Sequence, residues 1–276
     1  MITLGRFHTL TITERSGEGA YLDGKNLGEV FLPSNELEEQ DVADSQISVF
    51  VYLDSDGLTT ATKKTPNAQL GDFALMRVKE INNIGAFLDW GIDKDLLVPY
   101  GEQNPKMEQG MSYLVGVYLD NASERLCASN RYNKFVGKAQ ANYNFKDKVE
   151  LIVAGRTDLG YKVIVDKLHW GIVYYDTAFK SLFVGQTMPG YIKKVREDNK
   201  LDIVLEPIGM AKVHTLADKI VEELNKNNGF LPLGDKSDPE LIKKTFSCSK
   251  ANFKKAIGGL FKKGIIAIEA KSIKLN

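Results

Sequence analysis

The chain has 276 residues, 43% hydrophobic and 26% charged, with 36 basic and 36 acidic side chains and a formal net charge of zero. No run of eighteen apolar residues exists, so neither a transmembrane helix nor a membrane partner is expected, and Met1 to Leu10 lacks the basic patch and apolar run of a signal peptide. The two cysteines, Cys127 and Cys248, fall in different segments, which argues against a disulfide and for a cytoplasmic home.

The zero net charge is a balance between unlike regions. Residues 1–70 carry 5 basic and 11 acidic groups, residues 71–145 carry 8 and 9, residues 146–210 carry 10 and 9, and residues 211–276 carry 13 and 7. An acidic head and a basic tail predict that a polyanion is held mainly by the second half.

The first two segments, expected at 1–66 and 67–130, are copies of one pattern at an offset of 66. Gly5, Phe7, Glu14, Gly19, Ala20, Leu22, Asp23, Pro33 and Glu36 return as Gly71, Phe73, Glu80, Gly85, Ala86, Leu88, Asp89, Pro99 and Glu102. Such a period marks tandem modules rather than one large core. In the second copy, Phe73 to Glu80 alternates as a half-buried strand does. Asn82-Asn83-Ile84-Gly85 is turn chemistry, and Ala86 to Trp90, Leu96 to Pro99, Ser112 to Tyr118 and Leu126 to Ser129 supply four more strands. Five short strands in about 65 residues suit a small Greek-key barrel.

Asn130 to Phe145 reads as a connector with a short helical piece. A third, more diverged copy is expected at 146–209, with Gly160 answering Gly85 and Gly185 answering Gly110. Its strands are placed at Val149 to Val153, Lys162 to Val165, Trp170 to Tyr174, Thr187 to Val195 and Leu201 to Leu205, closed by Pro207-Ile208-Gly209. The hydrophobic period then changes from 2 to 3.6. Within 213–276, Leu216, Ile220, Val221 and Leu224 line one helix that Gly229 stops. Ser237 or Asp238 caps a second helix with Pro239 in its first turn, and Ser249 caps a third running through Lys262, with Phe253, Ile257, Leu260 and Phe261 facing inward. A hairpin from Ile265 to Leu275 completes a winged helix-turn-helix layout. The fold class is therefore mainly β with an α+β C-terminal domain.

Gly71-Asp72, Gly85-Ala86-Phe87-Leu88-Asp89 and Gly110 make residues 71–129 resemble an S1 domain, the RNA-binding variant of the OB fold. Three S1-like modules followed by a winged helix resemble the bacterial CvfB/YitL family. The local matches are Gly190-Tyr191-Ile192-Lys193-Lys194-Val195-Arg196-Glu197-Asp198 and Gly229-Phe230-Leu231-Pro232-Leu233-Gly234-Asp235-Lys236. That resemblance implies a non-catalytic RNA-binding regulator of expression. S1 domains usually carry a histidine on the strand after the Gly-Ala-Phe strand, whereas this chain has Pro33, Pro99 and Tyr174 there. The first two modules thus lack that stacking group, while the third keeps a ring and adds Tyr161, Lys162, Trp170 and Tyr175.

Single-stranded nucleic acid needs flat rings for bases and cations for phosphates. The candidates are Arg77, Lys79, Phe87 and Trp90 in the second module and Lys162, Tyr174, Lys193, Lys194 and Arg196 in the third. Strand parity puts Trp90 with Ala86 and Leu88 on the core side, which makes Phe87 the better ligand ring, and puts Tyr161 inward and Lys162 outward. In the winged helix, Lys250, Lys254 and Lys255 are candidate phosphate contacts, with packing or a protein contact as the plainer reading. Residues 211–276 contain no arginine, which weighs against specific guanine reading in duplex DNA. The expected partner is single-stranded RNA. A protein-interaction scaffold, or a DNA or protein partner through residues 213–276, is the alternative. His8, His169 and His214 stand apart with no metal-ligand spacing, and no phosphate-binding loop is present, so no cofactor, no metal and no catalysis are expected.

Overall fold

Three glycines show why the repeat persists. A β-carbon on Gly19, Gly85 or Gly160 would lie 2.2 Å from the carbonyl oxygen of Leu32, Val98 or Val173, respectively. Only glycine lets the second strand of each copy lie that close to the third. The computed structural model describes residues 1–178, 181–207 and 216–276, and the chain divides into two compact units, Met1–Pro207 and Ile208–Asn276.

In the first copy, β1 (Arg6–Arg15), β2 (Gly19–Asp23), β3 (Glu29–Pro33), β4 (Gln46–Leu53) and β5 (Thr59–Thr62) close a barrel in the order β1-β2-β3-β5-β4. The second copy is built from β6 (Phe73–Ile81), β7 (Gly85–Leu88), β8 (Leu96–Pro99), β9 (Ser112–Leu119) and β10 (Leu126–Ser129). Its order, β10-β9-β6-β7-β8, is the same circuit without a ladder between β8 and β10. Across that seam the Ser129 hydroxyl and the Asn130 amide both donate to the Glu102 carbonyl, at 3.1 and 3.3 Å. The third copy closes fully through β11 (Lys148–Arg156), β12 (Gly160–Val165), β13 (His169–Tyr174), β14 (Thr187–Val195) and β15 (Leu201–Val204). This is the five-stranded OB circuit.

The first strand of each copy must bond to the second on one edge and the fourth on the other. A bulge permits it, because the extra residue bends the strand and increases its twist. The register shifts between Ile12 and Glu14 in β1, between Val78 and Glu80 in β6, and between Val153 and Gly155 in β11. The positions match from copy to copy.

Apolar seams join neighbouring barrels. Phe50 and Tyr52 of β4 pack against Trp90, with Phe50 and Trp90 ring centroids 5.4 Å apart. Lys94 reaches across to donate to the Leu53 and Asp54 carbonyls. Between the second and third barrels, Phe73 and Leu114 meet Ile152, Ile164 and Trp170 around Val136 of the connector, and Lys167 pairs with Asp72 at 2.7 Å. The connector's helical piece is one turn, Tyr132–Lys134.

The second unit comprises α1 (Leu216–Lys226), β16 (Phe230–Leu231), α2 (Pro239–Phe246), α3 (Lys250–Lys262), β17 (Ile266–Ile268) and β18 (Ile273–Leu275). Asp238 is the cap of α2, its carboxylate accepting from the Glu240 amide at 2.8 Å, and the Ser249 hydroxyl caps α3 by accepting from the Asn252 amide. Ile220, Leu224, Ile242, Phe253 and Ile257 fill the core between the helices. Phe261 corrects the sequence reading. It is 56% exposed, because the inward stripe of α3 passes from Ile257 to Leu260 and leaves Phe261 on the flank. Ile208, Gly209 and His214, named above, lie outside the described residues.

Candidate nucleic-acid interface

Alternation along each second and third strand divides core from surface. Ala86 and Leu88 are fully buried in β7 while Phe87 between them is half-buried on the outside. Gly19 pairs with Pro33, Gly85 with Pro99 and Gly160 with Tyr174. The three residues standing in place of the S1 histidine thus occupy one register position. Lys162 takes the outward place held by Tyr21 and Phe87 in the earlier copies.

In the third barrel these outward positions form a continuous surface over four neighbouring strands. Lys162 on β12 is opposite Ile172 on β13, Ile172 pairs with Asp202 on β15, and Asp202 pairs with Lys194 on β14. Tyr174 lies two residues along β13, its hydroxyl 3.3 Å from Asp202 Oδ1. Arg196 Nε donates to the same carboxylate oxygen at 2.7 Å, and its Nη2 donates to the Tyr174 hydroxyl. Burial is the largest single influence and opposes the Arg196 charge, but the hydrogen bond and charge of Asp202 together with Tyr174 outweigh it and hold the guanidinium pKa above its ordinary value. Tyr174 is thereby pinned with its ring still partly open.

A cleft of about 410 Å³ opens beside this network, lined by Asn133, Thr157, Lys162, Trp170, Arg196 and Lys200 among others. The Lys162 ammonium sits 3.7 Å from the centroid of the Trp170 ring, and burial together with the charge of Lys200 lowers its pKa. Trp170 is a wall rather than an open platform: it is 8% exposed, and its indole nitrogen donates to Asn133 Oδ1 at 3.0 Å. Lys193 and Lys194 are consecutive yet both exposed, because the β14–β15 register shifts between Ile192 and Lys194. Neither enters an ion pair among the described residues.

The second barrel brings less together. Arg77 and Lys79 flank a groove of about 400 Å³, but Arg77 Nε donates to the Gly110 carbonyl at 3.1 Å and Lys79 pairs with Asp95 at 2.7 Å. That hydrogen bond to Asp95 raises the Lys79 pKa. Phe87 has Glu80 and Leu97 as its cross-strand neighbours, so its ring borders a carboxylate instead of a cation. Trp90 is removed from the outer surface altogether. It is 1% exposed and its indole nitrogen donates to the Ala68 carbonyl at 2.8 Å; core parity prevails there.

In the second unit, Lys250 donates to the Ser237 carbonyl at 2.8 Å, which ties α3 to the loop before α2. Lys254 pairs with Asp235 at 2.8 Å, while Lys255 is exposed. Of the histidines, Nε2 of His8 lies 2.9 Å from the Thr3 carbonyl. His169 is buried between the Tyr143 hydroxyl and the Ala139 carbonyl. Burial pushes the Cys127 thiol up to about 11, and among the described residues no cluster of three or more potential ligands could hold a metal ion. No helix among the described residues is long and apolar enough to cross a membrane.

Sequence reasoning passed over Tyr100, Asn133, Lys200 and Asp202. Tyr100 was findable, since aligning Pro99 with Tyr174 sets it against Tyr175; Lys200 and Asp202 join the surface when β13 and β15 pair in parallel, and Asn133 joins it from the connector through Trp170.

Two family models match this chain: a CvfB-like winged helix domain over residues 218–275 and an S1 domain over residues 4–64. Conserved virulence factor B of Staphylococcus saprophyticus is 26% identical over 284 residues, covering 99% of this chain and 94% of the relative. The chain is similar to the CvfB/YitL family along nearly its whole length. Uncharacterized protein YitL of Bacillus subtilis is 26% identical over 278 residues, covering 94% of this chain and 89% of the relative. A solved structure described as a multidomain protein with nucleic acid binding domains from Streptococcus pneumoniae covers 99% of this chain and 98% of its own, at 23% identity and a TM-score of 0.42. In this chain the S1 match falls on the first barrel, the acidic copy.

Proposed function

We propose that this chain, similar to the CvfB/YitL family, is a non-catalytic protein that holds single-stranded RNA across the outer surface of its third barrel. The observation that carries the reading is the run of Lys162, Tyr174, Arg196 and Lys194 over adjacent strands, beside an open cleft. Rings there accept bases, and the ammonium groups of Lys193 and Lys194, in no ion pair among the described residues, meet phosphates. The family match to an S1 domain supports the same ligand class. Post-transcriptional control of expression is the role such binding serves, and the two free thiols suit a reducing cytoplasm.

In the second unit, Phe261 is exposed beside Lys262 and Lys263, which favours a protein contact there over reading of duplex DNA.

The test is titration of the full chain with single-stranded RNA, single-stranded DNA and duplex DNA at two salt concentrations. Single-stranded RNA is expected to bind most tightly. Replacing both Lys193 and Lys194 by alanine is expected to weaken binding and to reduce the slope of log affinity against log salt by about 1.4, at ~0.7 per phosphate contact. An unchanged slope removes these lysines from the site, and a preference for duplex DNA overturns the RNA reading.

A further inference from the structure

The second and third barrels share a surface feature that the first lacks. At the end of β8 and of β13 the chain turns outward and presents a tyrosine, Tyr100 in one barrel and Tyr175 in the other. Tyr100 is 41% exposed and Tyr175 is 44% exposed. Both rings are held in the same way. The Tyr100 hydroxyl donates to the Asn82 carbonyl, and the Tyr175 hydroxyl donates to the Thr157 carbonyl at 2.9 Å. The backbone amides of the same two tyrosines donate to the Ile84 and Leu159 carbonyls, at 3.4 and 3.3 Å. Ile84 and Leu159, at the tips of the turns between first and second strands, are themselves 52% and 64% exposed.

Each barrel therefore shows a fixed aromatic ring next to an exposed aliphatic tip. A cation stands over the Tyr100 ring, and another lies one ring away from Tyr175. The Lys106 ammonium is 6.0 Å from the Tyr100 ring centroid, and Arg156 lies over Tyr161, whose ring contacts Tyr175 edge-on at 5.1 Å. In the first barrel the same backbone hydrogen bond joins Ser34 to Glu18, with no ring and an acid at the tip.

An exposed ring tethered at both its amide and its hydroxyl loses little freedom when a flat partner settles on it, so contact costs little entropy. Neither hydroxyl is left to read a hydrogen-bonding pattern, since each is engaged with a carbonyl of its own turn. What the site offers is a π face, an aliphatic neighbour and a nearby positive charge. That is the chemistry of a stacked, unpaired base with its phosphate alongside, held without regard to sequence.

We propose that Tyr100 and Tyr175 are a matched pair of base-stacking platforms, one on each of the second and third barrels, and that the first barrel has none. The proposal rests on the single-stranded RNA reading above and adds a second contact region, on the second barrel, to the surface described there.

The experiment uses the full chain and a single-stranded oligonucleotide followed by fluorescence anisotropy. Tyr100→Ala and Tyr175→Ala are each expected to lose roughly 5- to 150-fold in affinity, the range for one stacked base, with the losses multiplying in the double variant. The salt slope is expected to stay unchanged because no phosphate contact is removed. Tyr100→Phe and Tyr175→Phe keep the ring and are expected to stay close to the parent. Crosslinking of the unaltered chain to a thiouridine-substituted oligonucleotide, followed by peptide mapping, is expected to mark both tyrosines and is independent of how the variants fold. Parent-like affinity in both alanine variants, or a loss accompanied by a shallower salt slope, overturns the platforms and leaves the RNA reading standing. Failure of the parent chain to bind single-stranded RNA overturns that reading itself.

Discussion

The first and third barrels have one backbone plan and two different exteriors. Both close in the order first-second-third-fifth-fourth, both bulge their first strand at the same step, and both need glycine where the second strand crosses the third. Outside, the residues facing each other across the second and third strands are Tyr21 and Phe31 in one and Lys162 and Ile172 in the other. At the rim, Glu18 and Ser34 stand where the third barrel has Leu159 and Tyr175. The comparison teaches that the residues which make this fold and those proposed to meet a polyanion are separate sets, so a copy can keep the first without the second.

Breaking the shared set should injure both barrels alike. Gly19→Ala and Gly160→Ala each drive a methyl group into a backbone carbonyl and are expected to destabilise their barrel by about 3 kcal/mol. Hydrogen exchange resolves this barrel by barrel, with protection falling in the strands around the substitution. A mild effect at one glycine and a severe one at the other would mean that the two scaffolds are not equivalent.

A smaller effect separates the barrels by pH. Asp41 is 4% exposed, accepts from the Glu38 amide at 2.7 Å and pairs with Lys63 at 2.5 Å. Burial alone would raise its carboxyl, but the Lys63 hydrogen bond and the Glu38 amide outweigh it and hold the pKa below the ordinary 3.8. A depressed carboxyl contributes stability that is present above the unfolded-state value and is lost as pH falls through the folded-state value. The first barrel is therefore expected to loosen as pH drops below about 3.8. At pH 7, Asp41→Asn is expected to cost it about 2 kcal/mol, the scale of a buried charged hydrogen bond. Exchange protection in β1 to β5 followed through an acid titration measures both, and a first barrel no more acid-sensitive in the parent chain than in Asp41→Asn would remove the pair from the account.

The smallest expected effect sharpens the comparison by transplanting the rim. Glu18→Leu with Ser34→Tyr in the first barrel is expected to raise RNA affinity only about two- to fivefold, less than a full stacked base contributes, because the surrounding carboxylates repel phosphate. A gain as large as the loss from Tyr175→Ala would show that the rim alone decides.

Much of this plan was readable in the chain itself. The offset of 66, the turn chemistry at Asn82 to Gly85 and the change of hydrophobic period near residue 216 are local signals, and strands and helices follow them closely. Parity separated Phe87 from Trp90 and Lys162 from Tyr161 for the same reason. What escaped was set by partners distant in sequence. Lys79 counted as a free cation until Asp95 folded beside it, and Arg196 became part of a surface only through Asp202 and Tyr174. Trp170 looked like an open ring, but the connector at Asn133 and Val136 covers it.

The seams between barrels bear on how long a ligand must be. Phe73 and Leu114 against Ile152, Ile164 and Trp170 pack the second barrel on the third within one compact unit, so the two rim tyrosines ride on packed neighbours and not on loosely tethered modules. A strand too short to bridge them gains from one ring at a time, whereas a strand that spans the gap gains the second ring as an intramolecular event at high effective concentration. Avidity should then climb with oligonucleotide length in a step instead of a slope, and the protein would act as a molecular ruler that discriminates by reach.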